Sequence, residues 1–112
     1  MNKTVMHALN RCTTTGLETL VRDATTPDGK HIKLFKDHKG WHRIVAFKSE
    51  AHSVGCSGVI VQPCGEIYYK ETCPDMRSNG LTRQLQAMLT VWGVKWFPSQ
   101  FQTKGGAACY KY

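Results

Sequence analysis

The chain has no apolar run long enough to span a bilayer, so no membrane segment or membrane partner is expected. It has no Cys-x-x-Cys pair, no phosphate-cradling glycine loop and no grouped pair of carboxylates. The first absence excludes the standard zinc modules, and the second the common nucleotide-binding loops. The third leaves no acid–base dyad on which to build a hydrolase. Acidic residues are few: eight against fifteen Lys and Arg, a formal net charge of +7. Repeats, low-complexity tracts and any linker long enough to separate domains are also lacking, so 1–112 reads as a single domain. That length buries a core without disulfides or metal, and a hydrophobic content of 41% is too high for a disordered chain. Met1 to Arg11 lacks the apolar centre of an export signal. With an odd number of cysteines (Cys12, Cys56, Cys64, Cys73 and Cys109), this predicts free thiols and a reducing, cytoplasmic location.

What the chain does have is concentrated between Lys30 and Lys48. That stretch carries five Lys and one Arg against Asp37 alone. Two runs rich in β-branched and aromatic residues flank Asp37-His38-Lys39-Gly40, which predicts a β-hairpin with Gly40 at the left-handed position of its loop. Pairing Asp37 with Trp41 sets Leu34 opposite Ile44 and Ile32 opposite Ala46, an apolar face. The other face then carries Phe35 with Arg43, Lys33 with Val45 and His31 with Phe47, so aromatic and basic groups alternate there. A slip of one residue would exchange the two faces.

Elsewhere, Val5, Met6, Leu9 and Cys12 predict a short helix over Asn2–Cys12. Thr15 and Glu18 have the spacing of a capping box for a second helix with Leu17, Leu20, Val21 and Ala24 on one face. Thr26-Pro27-Asp28-Gly29 would end it. A DNA-reading helix–turn–helix needs basic or amide side chains on its second helix, and this one offers Glu18, Asp23 and only Arg22. Two helices covering one face of a sheet is the better account. Gly58–Gln62 and Glu66–Lys70 read as strands joined by Pro63-Cys64-Gly65. Leu81, Leu85, Met88, Leu89 and Trp92 repeat at helical spacing, with Asn79 as a candidate cap and Gly93 as the stop. Val94–Phe97 reads as a short extended segment, and 104–112 as a mobile tail or an edge strand.

Three chemistries are open to these residues. His52, Cys56, Cys64 and Cys73 are of zinc-ligating type, but their intervals match no standard zinc module, and a cysteine behaves equally as a small buried hydrophobe. A thiol enzyme needs a histidine beside its cysteine and a pair of oxyanion donors, and no spacing here implies either. The aromatic–basic face suits stacking on bases and neutralisation of phosphates, although Phe35, Trp41 and Phe47 suit a core as well. No motif is specific enough to name a family. Size, charge and the lack of catalytic signatures suit the small accessory proteins of bacteriophages, as a matter of composition only.

The expectation is an α+β domain: an antiparallel sheet of four to five strands built on two hairpins, with N-terminal and C-terminal helices packed on one face. The expected function is non-enzymatic, without cofactor or metal. The domain would contact nucleic acid, DNA or RNA, through His31, Lys33, Phe35, Lys36, Lys39, Trp41 and Arg43. The alternative is an inhibitor or adaptor that docks the same basic surface on an acidic protein patch.

Overall fold

The computed structural model describes residues 18–49, 51, 55–76 and 80–98. Five antiparallel strands, β1 (Glu18–Thr25), β2 (His31–Asp37), β3 (His42–Phe47), β4 (Ser57–Val61) and β5 (Ile67–Thr72), lie side by side in chain order. One turn of 3-10 helix, Pro74–Met76, and one α-helix, α1 (Leu81–Val91), follow.

Three of the four strand connections use the same device. They are Thr26-Pro27-Asp28-Gly29-Lys30, Asp37-His38-Lys39-Gly40-Trp41 and Gln62-Pro63-Cys64-Gly65-Glu66. In each, the first amide donates to the fifth carbonyl at 2.8–2.9 Å, and the glycine amide donates to the first carbonyl at 2.9–3.2 Å. The three glycines have φ of 90°, 91° and 102°. This is the pattern of a turn closed by a left-handed glycine, which matches the twist of the strands it joins. Asp37 tightens the middle turn, its Oδ1 accepting the amides of Lys39 and Trp41 at 2.9 Å each.

The first of these turns corrects the reading of the chain before it. The predicted second helix, Leu17 to Ala24, is not formed: Glu18–Thr25 is strand β1. Its register on β2 shifts between Leu20 and Arg22, leaving Val21 as the extra residue of a bulge. Leu20 stands opposite Phe35, whereas Ala24 stands opposite Ile32, on the other face of the sheet. The bulge therefore takes a spacing that resembles a helical stripe and distributes it over two faces. Thr26-Pro27-Asp28-Gly29, read as a helix stop, is the hairpin turn that ties β1 to β2. The predicted Asn2–Cys12 helix, Thr15, Leu17, Asn79 and the 104–112 segment lie outside the described residues.

The β2–β3 register has Leu34 opposite Ile44, Ile32 opposite Ala46 and Phe35 opposite Arg43, as the turn at Gly40 requires. One sheet face, with Ile32, Leu34, Ile44, Ala46, Val59, Val61 and Ile67, packs on Leu81, Leu85 and Leu89 of α1. At full burial each of the larger of these side chains contributes about 1.5–3 kcal/mol of transfer free energy. The N-cap of α1 is Gly80, which has a left-handed backbone and no side-chain cap bond. Its C-terminus closes in a Schellman motif: Gly93 donates to Thr90 at 3.1 Å and Val94 to Leu89 at 2.8 Å, with φ of 80° at Gly93. The chain then returns to the sheet. Phe97 pairs in parallel with Glu66, its amide donating to Gly65 at 2.9 Å and its carbonyl accepting from Ile67 at 3.0 Å. No helix among the described residues is long and apolar enough to cross a membrane.

Candidate functional site

The face of the sheet turned away from α1 is ordered as rows across the strands. Leu20, Phe35, Arg43, Ile60 and Tyr69 stand opposite one another in succession, one from each strand. Arg43 is the centre of this row and is only 3% exposed. Its guanidinium carbon lies 4.5 Å from the centre of the Phe35 ring, and its Nε donates to Oε2 of Glu18 at 3.3 Å. A guanidinium held in this way is part of the interior, where a charge is tolerated because it is paired.

Beyond this row, toward the far end of the sheet, Lys33 lies over Phe47, Nζ to ring centre 5.5 Å. Phe47 is buried, and so is Val45 between Lys33 and Gly58. His31 is 8% exposed; its Nδ1 lies 3.3 Å from the Thr25 hydroxyl and its Nε2 3.8 Å from Asp23 Oδ2. His31, Phe35, Lys33 and Arg43 are thus brought together on one face as expected, but each is already engaged by a neighbour.

The tip end of the hairpin is different. Lys36, His38 and Lys39 are exposed, and Trp41 is half-buried. Trp41 and Tyr69 pack on Ile60, and the Tyr68 ring meets Trp41 edge to face, centroids 5.3 Å apart at 83°. The register of β4 on β5 shifts by one residue here, from Ile60 opposite Tyr69 to Val61 opposite Ile67. That bulge is why two successive tyrosines, Tyr68 and Tyr69, both reach the Trp41 side. Tyr68 is 64% exposed. The turn at Pro63 lies against the hairpin turn: a Cβ on Gly40 would be 3.5 Å from the Pro63 side chain. Lys95, exposed, runs along the same end, with its Cγ 3.5 Å from where a Cβ on Gly65 would be.

Exposed Lys36, Lys39 and Lys95 share this end of the sheet with the carboxylates of Asp37 and Glu66. Asp37 is occupied by the turn amides, and Gln62 donates to the Glu66 carboxylate at 3.3 Å. Lys36 lies across from His42, and burial together with that ammonium holds the imidazole below its ordinary value of 6.5, against the opposite pull of Asp37. On the far strand Tyr69 donates to Glu71 at 3.3 Å, and burial, with the Glu71 charge, raises its phenol above 10.

Tyr68, Lys95 and Glu18 were not among the predicted residues. A bulge carries no composition signal in two consecutive tyrosines, and Glu18 has in sequence the spacing of a capping-box partner to Thr15. Of the weak metal candidates, Cys56 and Cys73 are neighbours, the Cys73 amide donating to the Cys56 carbonyl at 2.8 Å, and Cys64 stands apart from them at the other end of β4. Cys64 is exposed on the turn after β4, Cys56 is buried just before β4, Cys73 follows β5, and His52 lies outside the described residues. Among the described residues no group of three His, Cys, Asp or Glu is placed to hold a metal ion. In comparisons with protein-family models, curated proteins and solved structures, the chain matches none of them.

Proposed function

We propose that the domain binds nucleic acid at the β2–β3 hairpin tip and performs no catalysis on it. The observation that carries this reading is the disposition of charge around Trp41. His38 and Lys39 project from the turn into solvent, and exposed Lys36 stands just before it in β2, on the strand face that carries Leu34, while Oδ1 of Asp37 accepts the turn amides of Lys39 and Trp41. Lysines free to move along a surface neutralise phosphates and release their counterions. Of the seven residues expected from sequence, Lys36, Lys39 and Trp41 make the contact. His31, Lys33, Phe35 and Arg43 hold the strands that present them.

The test is a titration of labelled random-sequence oligonucleotides at several salt concentrations. Affinity is expected to fall steeply with salt, and Lys36→Gln and Lys39→Gln each to lower the slope of log affinity against log salt by about one. Arg43→Gln is expected to act through stability instead. Absence of binding at low salt would replace this reading with the docking of the same basic tip on an acidic protein surface.

A further inference from the structure

We infer that Tyr68, braced by Trp41, is a stacking platform for an unpaired base, so that the ligand of this tip is single-stranded nucleic acid. The inference rests on the nucleic-acid reading above and narrows it.

The aromatic groups of the hairpin are not equivalent once the fold is formed. The Phe35 ring is occupied by Arg43 at 4.5 Å, and Phe47 is buried with Lys33 over it at 5.5 Å. Trp41 is half-buried on Ile60. Tyr68 is the most exposed of these rings, at 64%, and it is supported rather than covered. The 83° angle to Trp41 means that their contact uses one edge and one face, so the two rings are not stacked on each other. A ring held upright by a neighbour loses little rotamer freedom when a base settles on it, which lowers the cost of binding.

The charges lie where the phosphates of such a strand would run. Lys39 projects from the turn that ends at Trp41, and Lys95 lies along the adjoining turn at Gly65. Bases in a duplex are already stacked on their neighbours and present only their edges in the grooves. A ring standing on a surface finds an open π-face only on an unpaired base. An exposed aromatic platform with lysines on the adjoining turns therefore matches a single strand better than a duplex groove.

The measurement is fluorescence anisotropy of the full chain with a labelled oligo-dT, an oligo-U, and a duplex of equal length, in low and moderate salt. The single strands are expected to bind more tightly than the duplex. Tyr68→Ala is expected to weaken single-strand binding about ten-fold with an unchanged salt slope, and to leave duplex binding as it was. Tyr68→Phe, which keeps the ring and drops the hydroxyl, is expected to bind like the parent. Thermal melting of both variants checks that the fold is retained, which the exposure of Tyr68 makes the expected result. Equal affinity for single strand and duplex, or Tyr68→Ala binding like the parent, overturns the platform and leaves the general nucleic-acid reading standing. Failure of the intact protein to bind any of the three probes at low salt overturns both.

Discussion

Arg43 and Glu18, twenty-five residues apart in the chain, form an ion pair of 3.3 Å with side chains only 3% and 7% exposed. The pair joins β3 to β1 across the intervening β2 strand. Oε1 of Glu18 is buried with no hydrogen-bond partner among the described residues. A pair of this kind costs more to break than it contributes whole, because the surviving partner is left as a charge out of water.

Arg43→Gln should therefore destabilise the domain by on the order of 3–5 kcal/mol, and the double variant Glu18→Leu/Arg43→Met should recover most of that loss. Urea unfolding at constant m-value reads both. An Arg43→Gln midpoint equal to the parent's would mean that the pair is solvated and that Arg43 is available to a ligand.

Two groups give stability an opposed dependence on pH. Burial raises the Glu18 carboxyl above its ordinary 4.5, with Asp37 adding to the effect and Arg43 working against it. Above pH 4.5 the folded state keeps a proton that the unfolded chain has lost. The resulting stabilisation is full below 4.5 and is lost as pH rises through the folded value. His42 is depressed below 6.5. Its contribution is full above 6.5 and is lost as pH falls through the folded value. Stability measured from pH 4 to 8 should therefore lose its Glu18 slope in Glu18→Gln and its His42 slope in His42→Gln. Parallel curves for parent and variant would contradict the assignment for that residue.

Gly65 joins the β4–β5 turn to the segment after α1. Its φ is 102°, and a Cβ would lie 3.3 Å from the Lys95 carbonyl and 3.4 Å from the Phe97 ring. Gly65→Ala should cost about 1–3 kcal/mol from backbone strain and loosen the Phe97 bridge. Gly29→Ala meets no atom within 4 Å and should show the backbone cost alone. Faster amide exchange at Phe97 and Ile67 in Gly65→Ala, but not in Gly29→Ala, is the expected pattern. Equal exchange in the two variants would argue against the crowding.

Within α1, Leu85 is fully buried and Gln86 is 2% exposed with its Oε1 unpartnered among the described residues. Leu85→Ala should cost roughly 2–5 kcal/mol by emptying a core site. Gln86→Met, close in shape and without the unpaired oxygen, should raise the unfolding free energy by about 1 kcal/mol. A loss of stability in Gln86→Met would show that the amide makes a bond worth keeping.

Cys56, Cys64 and Cys73 do not meet at one place, which predicts a fold indifferent to chelators. Elemental analysis should find no stoichiometric zinc, and the melting temperature should be the same with and without a strong chelator. One zinc per chain, with unfolding on its removal, would reverse this prediction.

Much of the central sheet was determined by the sequence alone. The β2–β3 register follows from a short glycine-closed turn and two strands whose apolar residues alternate, because only one pairing buries Ile32, Leu34, Ile44 and Ala46 together. The α1 helix follows from leucines at helical spacing and a glycine stop. Even β1 left a trace, since Thr26-Pro27-Asp28-Gly29 ends in the same glycine-closed turn as Gln62-Pro63-Cys64-Gly65. What the sequence could not specify are the bulges at Val21 and Tyr68. A bulge is chosen by the strand alongside: one extra residue costs little locally and is set by which side chains then meet across the sheet. Those two residues decided that β1 is a strand with apolar groups on both faces, and that Tyr68 stands beside Trp41. Tertiary structure likewise decided the fate of the charges. A lysine or arginine in a strand reads the same in sequence whether it faces water or a carboxylate. Glu18 arriving from β1 and the Phe35 ring beside the guanidinium make Arg43 part of the interior, whereas Lys36 and Lys39 stand at the surface.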